Sequence, residues 1–272
     1  MRAIPSLTII CAIVIAFAHQ APSQMAGTAQ PAPSCLPPCI LPVTVSENFD
    51  NVTPPALPPD WLATNAQGPP PQWVTSNSGV PIPPSDTQPN AVFIDDPAVV
   101  SDKRLDSLAF PILAVTSAQV TFRQNFNLEA SDVDPNLGFD GGVLEVSTDG
   151  GNTFQDILDA GGSFVVGGYN RTISSDRGSP IAGRQAWSGN SQGFITTVVN
   201  LPIIFTDERL RWRMASDSSG SSEGWRIDTV NVSGCAPFPC ETPPPPPSPS
   251  PTAAPRVTPR PRPTPFPRLT PP

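Results

Sequence analysis

Acid–base chemistry in this chain is limited first by its histidines: the sequence holds one, His19, ahead of every segment with strand-like patterning. A serine or cysteine nucleophile becomes reactive through a neighbouring base, so Ser-His-Asp and Cys-His sites have nothing to draw on. No H-E-x-x-H segment occurs, which removes the common zinc-peptidase arrangement. Carboxylate pairs remain, because a glycosidase requires only two acids about 5–9 Å apart. The jelly-roll glucanase pattern E-x-D-x-x-E, which sets its acids on one strand face, is absent. Glu145 and Asp149 are the nearest imitation, and Asp149 falls in a turn. The chain is therefore read as a non-catalytic protein, with an unrecognised carboxylate pair as the one enzymatic alternative.

Aromatic faces offer a second chemistry, stacking on sugar rings or on a protein partner. Trp212 alternates with Leu210 and Met214, and Trp225 stands two residues before Ile227, so both belong to a buried face. Tyr169 and Trp187 lie instead in a glycine-rich stretch, 159–192, with no strand period. They are the candidate ligand-binding platforms for a surface ligand, glycan or protein; anchoring their own loop is the competing reading.

The elements that must position these groups are strands. Between 43 and 232 the chain shows short alternating runs broken by Gly, Asn, Asp and Pro, with no apolar stripe of helical period. Strands are expected at 43–49, 91–94, 105–110, 118–125, 142–147, 194–200, 209–215 and 225–232. In 118–126, Val120, Phe122 and Gln124 alternate with Thr121, Arg123 and Asn125, which gives one buried face and one wet face. The proline-rich stretch 51–89, with Trp61 and Trp73, reads as a long ordered loop because proline forbids central strands. In 225–232, Trp225 and Ile227 are out of phase with Val230 and Val232. One extra residue is absorbed near Asp228 and Thr229, the mark of a β-bulge.

The flanks differ in kind. Residues 1–18 read as a signal peptide: Arg2, an apolar run from Leu7 to Phe17, then Ala16-Phe17-Ala18 with the cut after Ala18. The run is too short to span a bilayer, so no transmembrane segment is expected after cleavage. Residues 19–42 form a linker carrying Cys35 and Cys39; residues 236–272 form a disordered proline-rich tail that carries Cys240 near its start. The net charge of the whole chain is -8; the negative excess lies in the folded part, while Arg256, Arg260, Arg262 and Arg268 make the tail basic. An acidic folded part disfavours nucleic acid as a partner. Export makes disulfides the default reading of the four cysteines that follow the signal.

Three segments carry a family resemblance: "FDGGVLEVSTDGGNTFQDI" from Phe139, "GRQAWSGNSQGF" from Gly183 and "LRWRMASDSSGSSEGWRIDTVNV" from Leu210. Together with "ENFDNVTPPALPPDW" from Glu47, they resemble the MAM-like jelly-roll modules of secreted bacterial proteins, such as those accompanying immune inhibitor A-type metallopeptidases. The resemblance implies an all-β, jelly-roll-like β-sandwich over 43–235, here without the peptidase part. It also implies a secreted or cell-surface adhesion or ligand-binding module, with a structural envelope protein as the rival. Ser147, Asp149, Gly151, Thr153 and Phe154 further resemble the Asp-box of sialidases, which in chemical terms is a hairpin turn.

In a jelly roll the first and last strands pair antiparallel. Nested disulfides Cys39–Cys235 and Cys35–Cys240 are then one expectation, and local bridges Cys35–Cys39 and Cys235–Cys240 the other. Related modules hold structural calcium between an acid beside the first-strand Phe and the Asp of the closing strand. The matching positions are Asp50 and Asp228, and Glu47 joins them because alternation turns it inward. Pairing of Glu47 with Arg104 or Arg226 is the alternative. The loop "DVDPNLGFD", with Asp132, Asp134, Asn136 and Asp140, is the second candidate for calcium.

Overall fold

A computed structural model describes residues 43–111, 117–202 and 207–235. The chain begins with β1 (Val43–Glu47), β2 (Leu62–Gln67), β3 (Val74–Ser76), β4 (Ala91–Asp96), β5 (Ser101–Asp106) and β6 (Phe110–Pro111). It continues through β7 (Ser117–Leu128), β8 (Leu137–Gly138), β9 (Gly141–Ser147), β10 (Gln155–Asp156), β11 (Ser163–Val166) and β12 (Arg171–Ile173). The last elements are β13 (Gln185–Ala186), β14 (Gly189–Asn190), β15 (Ile195–Asn200), β16 (Asp207–Ser216) and β17 (Ser222–Cys235). The fold is all-β, and no helix among the described residues is long and apolar enough to cross a membrane.

One sheet runs β11-β15-β7-β17-β4-β3, with β1 on the far half of β17 and β14 on the end of β7. The second runs β10-β9-β16-β5-β2, with β6 against β16. Successive long strands β4, β5, β7, β9, β15, β16 and β17 alternate between the two sheets, which is the jelly-roll path. Proline-bearing chain flanks β2 and β3, and both are edge strands, as the missing N–H groups require.

Alternation fills the space between the sheets. From the first sheet β7 sends in Val120, Phe122 and Phe126, and β17 sends in Trp225 and Ile227. Leu144, Leu210, Trp212 and Met214 face them from the second. Phe122 meets Trp212 edge-on at 5.5 Å, and Trp61 stacks on Trp212 at 5.7 Å. Edge-to-face and offset pairs add to the burial of their area, by about 0.5–1.5 kcal/mol each. Gln124 is the polar member of the inward row. Its amide accepts from Trp225 Nε1 at 2.9 Å and donates to Thr197 Oγ1 at 2.7 Å, so no polar atom of that side chain is stranded in the core.

The expected bulge is present. The β17–β7 register shifts between Asp228 and Asn231, and Thr229 takes a left-handed φ of 49°. At this point β17 exchanges partners along one edge: Ser222 to Ile227 pair with β4, and Val230 to Ser233 pair with β1. First and last strands are thus antiparallel neighbours, with Val43 opposite Ser233.

The two stretches read as long loops are more ordered than their composition implies. Residues 51–89 contribute β2 and β3, and both of their tryptophans enter the core, Trp73 with its Nε1 donating to the Lys103 carbonyl at 3.2 Å. Residues 159–192 contribute β11 to β14. Among these, β13-β12-β8 form a third, small layer over the outer face of the second sheet, where Ile173, Ile181 and Ala186 cover Val143 and Ala215.

Candidate functional site

Trp187 is not a surface platform, whereas Tyr169 is half-buried and keeps an edge at the surface. Trp187 is fully buried, 5.6 Å from Trp225 and 5.9 Å from Phe122, and its Nε1 donates to the Gly167 carbonyl at 2.9 Å. Tyr169 packs edge-on to Trp187 at 4.8 Å, and its hydroxyl exchanges hydrogen bonds with the backbone of Leu144. Burial carries its phenol pKa well above the usual value. The glycine-rich stretch has no strand period, yet it folds back on the sheet and inserts both rings. For Trp187 the structure realises the anchoring alternative; Tyr169 anchors the stretch through its hydroxyl and also lines the open groove described below.

The junction of first and last strands is closed by amide capture. Asp228 accepts from the amides of Asp86 and Thr87 at 2.8 and 2.9 Å through one oxygen, and from the Thr229 amide at 2.6 Å through the other. Burial raises its pKa to about 6 against the lowering effect of these bonds. Asp50 accepts from the Asn90 amide at 2.9 Å, and Glu47 from the Phe49 amide at 2.6 Å. Each acid therefore organises its own piece of backbone, and the three do not form the cluster expected of them. The inward turn of Glu47 is met by its own chain two residues on, and neither Arg104 nor Arg226 pairs with it: Arg104 binds Asp102, and Arg226 donates to the carbonyls of Ser78 and Val80. Cys35, Cys39 and Cys240 lie outside the described residues, as does the side chain of Cys235, and with them both disulfide schemes.

A three-carboxylate cluster does exist elsewhere. Among the described residues Glu129, Asp140 and Asp217 each offer an oxygen within 4.8 Å of the others. They come from the end of β7, the β8–β9 turn and the β16–β17 turn, and Asp96 at the end of β4 presses on Asp140. Burial and the neighbouring Asp96 and Asp217 carboxylates push the Asp140 pKa far up, and burial raises Asp96 and Glu129 as well. The calcium-like loop at 132–140 thus supplies one member, Asp140, while Asp134 caps the Asn136 amide in its own turn at 2.9 Å. Glu129 and Asp96 carried no sequence signal, since each follows an ordinary alternating strand.

The outer layer carries an open groove. Asn136, Asn170, Arg171, Thr172 and Gln185 line a depression of about 220 Å³, and Asp156, Asp159, Arg184 and Gln185 line an adjoining one of about 390 Å³. Tyr169 and Gln185 belong to both. Arg184 is fixed across its floor by Glu145 at 2.6 Å and Asp156 at 2.8 Å. The groove is rimmed by the amides of Asn136 and Gln185 and the hydroxyl of Thr172, beside Asn170 and Arg171, whose side chains are tied to backbone groups of Ser188 and of residues 131–137.

No protein-family model and no curated protein matches the sequence. Among solved structures, the chain is similar to the K1 cleaved adhesin domain of Lys-gingipain from Porphyromonas gingivalis W83, at 20% identity over 69% of this chain and 96% of that one, TM-score 0.43. The K3 cleaved adhesin domain of the same protein gives 14% identity over 71% and 98%, TM-score 0.40. The CBM22-1 xylan-binding domain from Paenibacillus barcinonensis gives 8% identity over 72% and 96%, TM-score 0.38.

Proposed function

We propose that this chain is an exported, non-catalytic binding module that takes a polar, hydroxyl-rich surface ligand, a glycan, in the groove of its outer layer. The observation that carries the reading is the composition of that groove. All five tryptophans are spent in the core. The open face offers instead the exposed Asn136, Thr172 and Gln185 beside the fixed Arg184. Convergent amide, hydroxyl and guanidinium groups over a rigid floor suit ligands recognised by hydrogen bonds rather than by stacking. The MAM-like resemblance supports the reading, because its three segments supply β9 with its turn, β13 with β14, and β16 with β17. The signal-like start and the proline-rich tail agree with presentation at a cell surface.

The full mature chain, screened on a glycan array, is expected to bind a restricted set of glycans. Gln185→Ala combined with Thr172→Ala is expected to lower that binding at least tenfold, with the melting temperature unchanged. Flat binding across the array, or binding untouched by the double variant, removes the groove as the site.

A further inference from the structure

We infer that Asp96, Glu129, Asp140 and Asp217 form a calcium site that ties the two sheets together at one end of the sandwich. Each acid is oriented by the backbone or by burial and leaves one oxygen bare. Asp96 Oδ2 accepts from the Glu129 amide at 3.0 Å, Asp140 Oδ1 from the Asp217 amide at 2.5 Å, and Asp217 Oδ1 from the Ser219 amide at 2.7 Å. The second oxygens, Asp96 Oδ1, Asp140 Oδ2 and Asp217 Oδ2, are buried without a hydrogen-bond donor, and so is Glu129 Oε2. Asp96 is an observation separate from the other three: it is 2% exposed, lies on a different strand, has no amide or hydroxyl donor to Oδ1, and brings its carboxyl within hydrogen-bonding reach of that of Asp140.

Charge balance makes the same point. The nearest cation is Arg177, whose Nε stands 4.0 Å from Asp217 Oδ2 and whose side chain is 43% exposed. One half-exposed guanidinium does not neutralise four converging carboxylates, and buried acids without a counter-charge are among the costliest groups a fold can hold. The ligand atoms are close enough to share one ion. Oxygens bound to one calcium lie at most about 4.8 Å apart, twice the calcium–oxygen distance, and the ligand atoms of Glu129, Asp140 and Asp217 all fall within 4.8 Å of one another. An all-oxygen set with no histidine or thiolate disfavours zinc, and magnesium prefers to keep several waters that a site this buried has little room for. The chain crosses above at Gly220, at a φ of 73°, where an added Cβ would collide with Glu129 Oε2. Solvent reaches the site from the side of Glu129, which also lines a depression of about 390 Å³ with Ser131 and Ser222. Asp96 and Glu129 belong to strand ends of the first sheet, and Asp140 and Asp217 flank strands of the second, so an ion here is a cross-link between sheets.

The test uses the full mature chain, stripped with EDTA and returned to calcium, magnesium or neither. Calcium is expected to bind at one ion per chain by titration calorimetry and to raise the melting temperature by several degrees; magnesium is expected to do much less. Asp217→Asn and the milder, half-buried Glu129→Gln are expected to lose at least tenfold in calcium affinity. Asp50→Asn, at the first-and-last-strand junction, is expected to keep it. Absence of binding by the parent chain, or binding lost in Asp50→Asn and retained in Glu129→Gln, overturns the assignment.

Discussion

Two groups of buried acids in this molecule are treated in opposite ways. On the outer face of the second sheet, Asp102, Asp106, Glu145 and Asp156 each lie against a guanidinium. Arg213 grips Asp102 with two nitrogens at 2.9 and 3.0 Å and reaches Glu145 at 3.2 Å, while Arg211 grips Asp106 at 2.6 and 2.9 Å. Alternation produces this ladder directly: Arg209, Arg211 and Arg213 are the outward row of β16, between β5 with its acids and β9 with Glu145. At the end of the sandwich, Asp96, Glu129, Asp140 and Asp217 converge, and among the described residues the one cation paired with them is Arg177, 4.0 Å from Asp217. The consequence shows in Asp102 and Asp140. Burial raises the pKa of both; for Asp102 the bonds from Arg104 and Arg213 reverse the effect and leave it lowered, whereas Asp96 and Asp217 drive Asp140 further up. Burial of an acid is therefore not what makes a site. The identity of the neighbour is.

Substitution should separate the two groups by sign. Arg213→Met leaves Asp102 and Glu145 facing one another with fewer cations, and is expected to destabilise by about 3 kcal/mol in denaturant unfolding, because breaking a buried pair strands a charge. Asp140→Asn keeps the oxygen that accepts the Asp217 amide and removes an acid that the metal-free fold holds protonated while the unfolded chain releases its proton. In EDTA it is expected to be more stable than the parent by about 1 kcal/mol. Loss of stability in both variants to the same extent would show that the cluster is balanced as the ladder is.

Glu208 provides a third case, a buried acid with neither arginine nor companions. Both of its oxygens lack a hydrogen-bond partner, and burial raises its pKa from 4.5 to about 8. The folded state then holds a proton that the unfolded chain releases. Its contribution is complete below the unfolded value and declines as pH rises, by up to about 1.4 kcal/mol per pH unit until the folded pKa is passed. Glu208→Gln cannot ionise, so its stability is expected to fall less steeply between pH 5 and 8 when melting is followed across that range. Parallel pH profiles for the two proteins would mean that Glu208 finds a counter-charge.

How far the sequence reveals these sites depends on the range of the interactions that build them. The strands β7 and β16 were legible because alternation is a local property, and the bulge at Asp228 and Thr229 because it breaks a local phase. The arginine row was visible as polar positions of β16, though not its partners. Trp187 was misplaced because a glycine-rich stretch carries no period, and only its return onto the sheet decides where its rings go; Tyr169, from the same stretch, stays half-buried at the edge of the groove. The carboxylate cluster was hidden for a similar reason. Its hydrogen bonds span 33 residues from Asp96 to Glu129 and 77 from Asp140 to Asp217. Nothing local distinguishes those acids from Asp106 or Glu145. Both groups become distinct only when the sheets are assembled.

The turn after β9 closes the comparison with an acid that is solvated and still fully engaged. Asp149 accepts from the amides of Asn152 and Thr153 and from the hydroxyls of Ser147 and Thr153, at 2.7 to 3.0 Å. Gly150 and Gly151, at φ values of 76° and 97°, supply the left-handed backbone the turn needs. Behind it the Arg211 guanidinium lies over the Phe154 ring at 3.5 Å, so the turn is seated on the end of the ladder. The Thr153 amide and hydroxyl, with the other donors, pull the Asp149 pKa down from 3.8 to about 2. A lowered carboxylate contributes stability above its unfolded pKa and loses it as pH falls through the folded one. Asp149→Ala is therefore expected to lower the melting temperature slightly at pH 7, the smallest of these effects because water can replace the lost acceptor, and the gap to the parent should narrow toward pH 2. A gap that stays constant from pH 7 to pH 2 would show that the side chain acts through shape rather than charge.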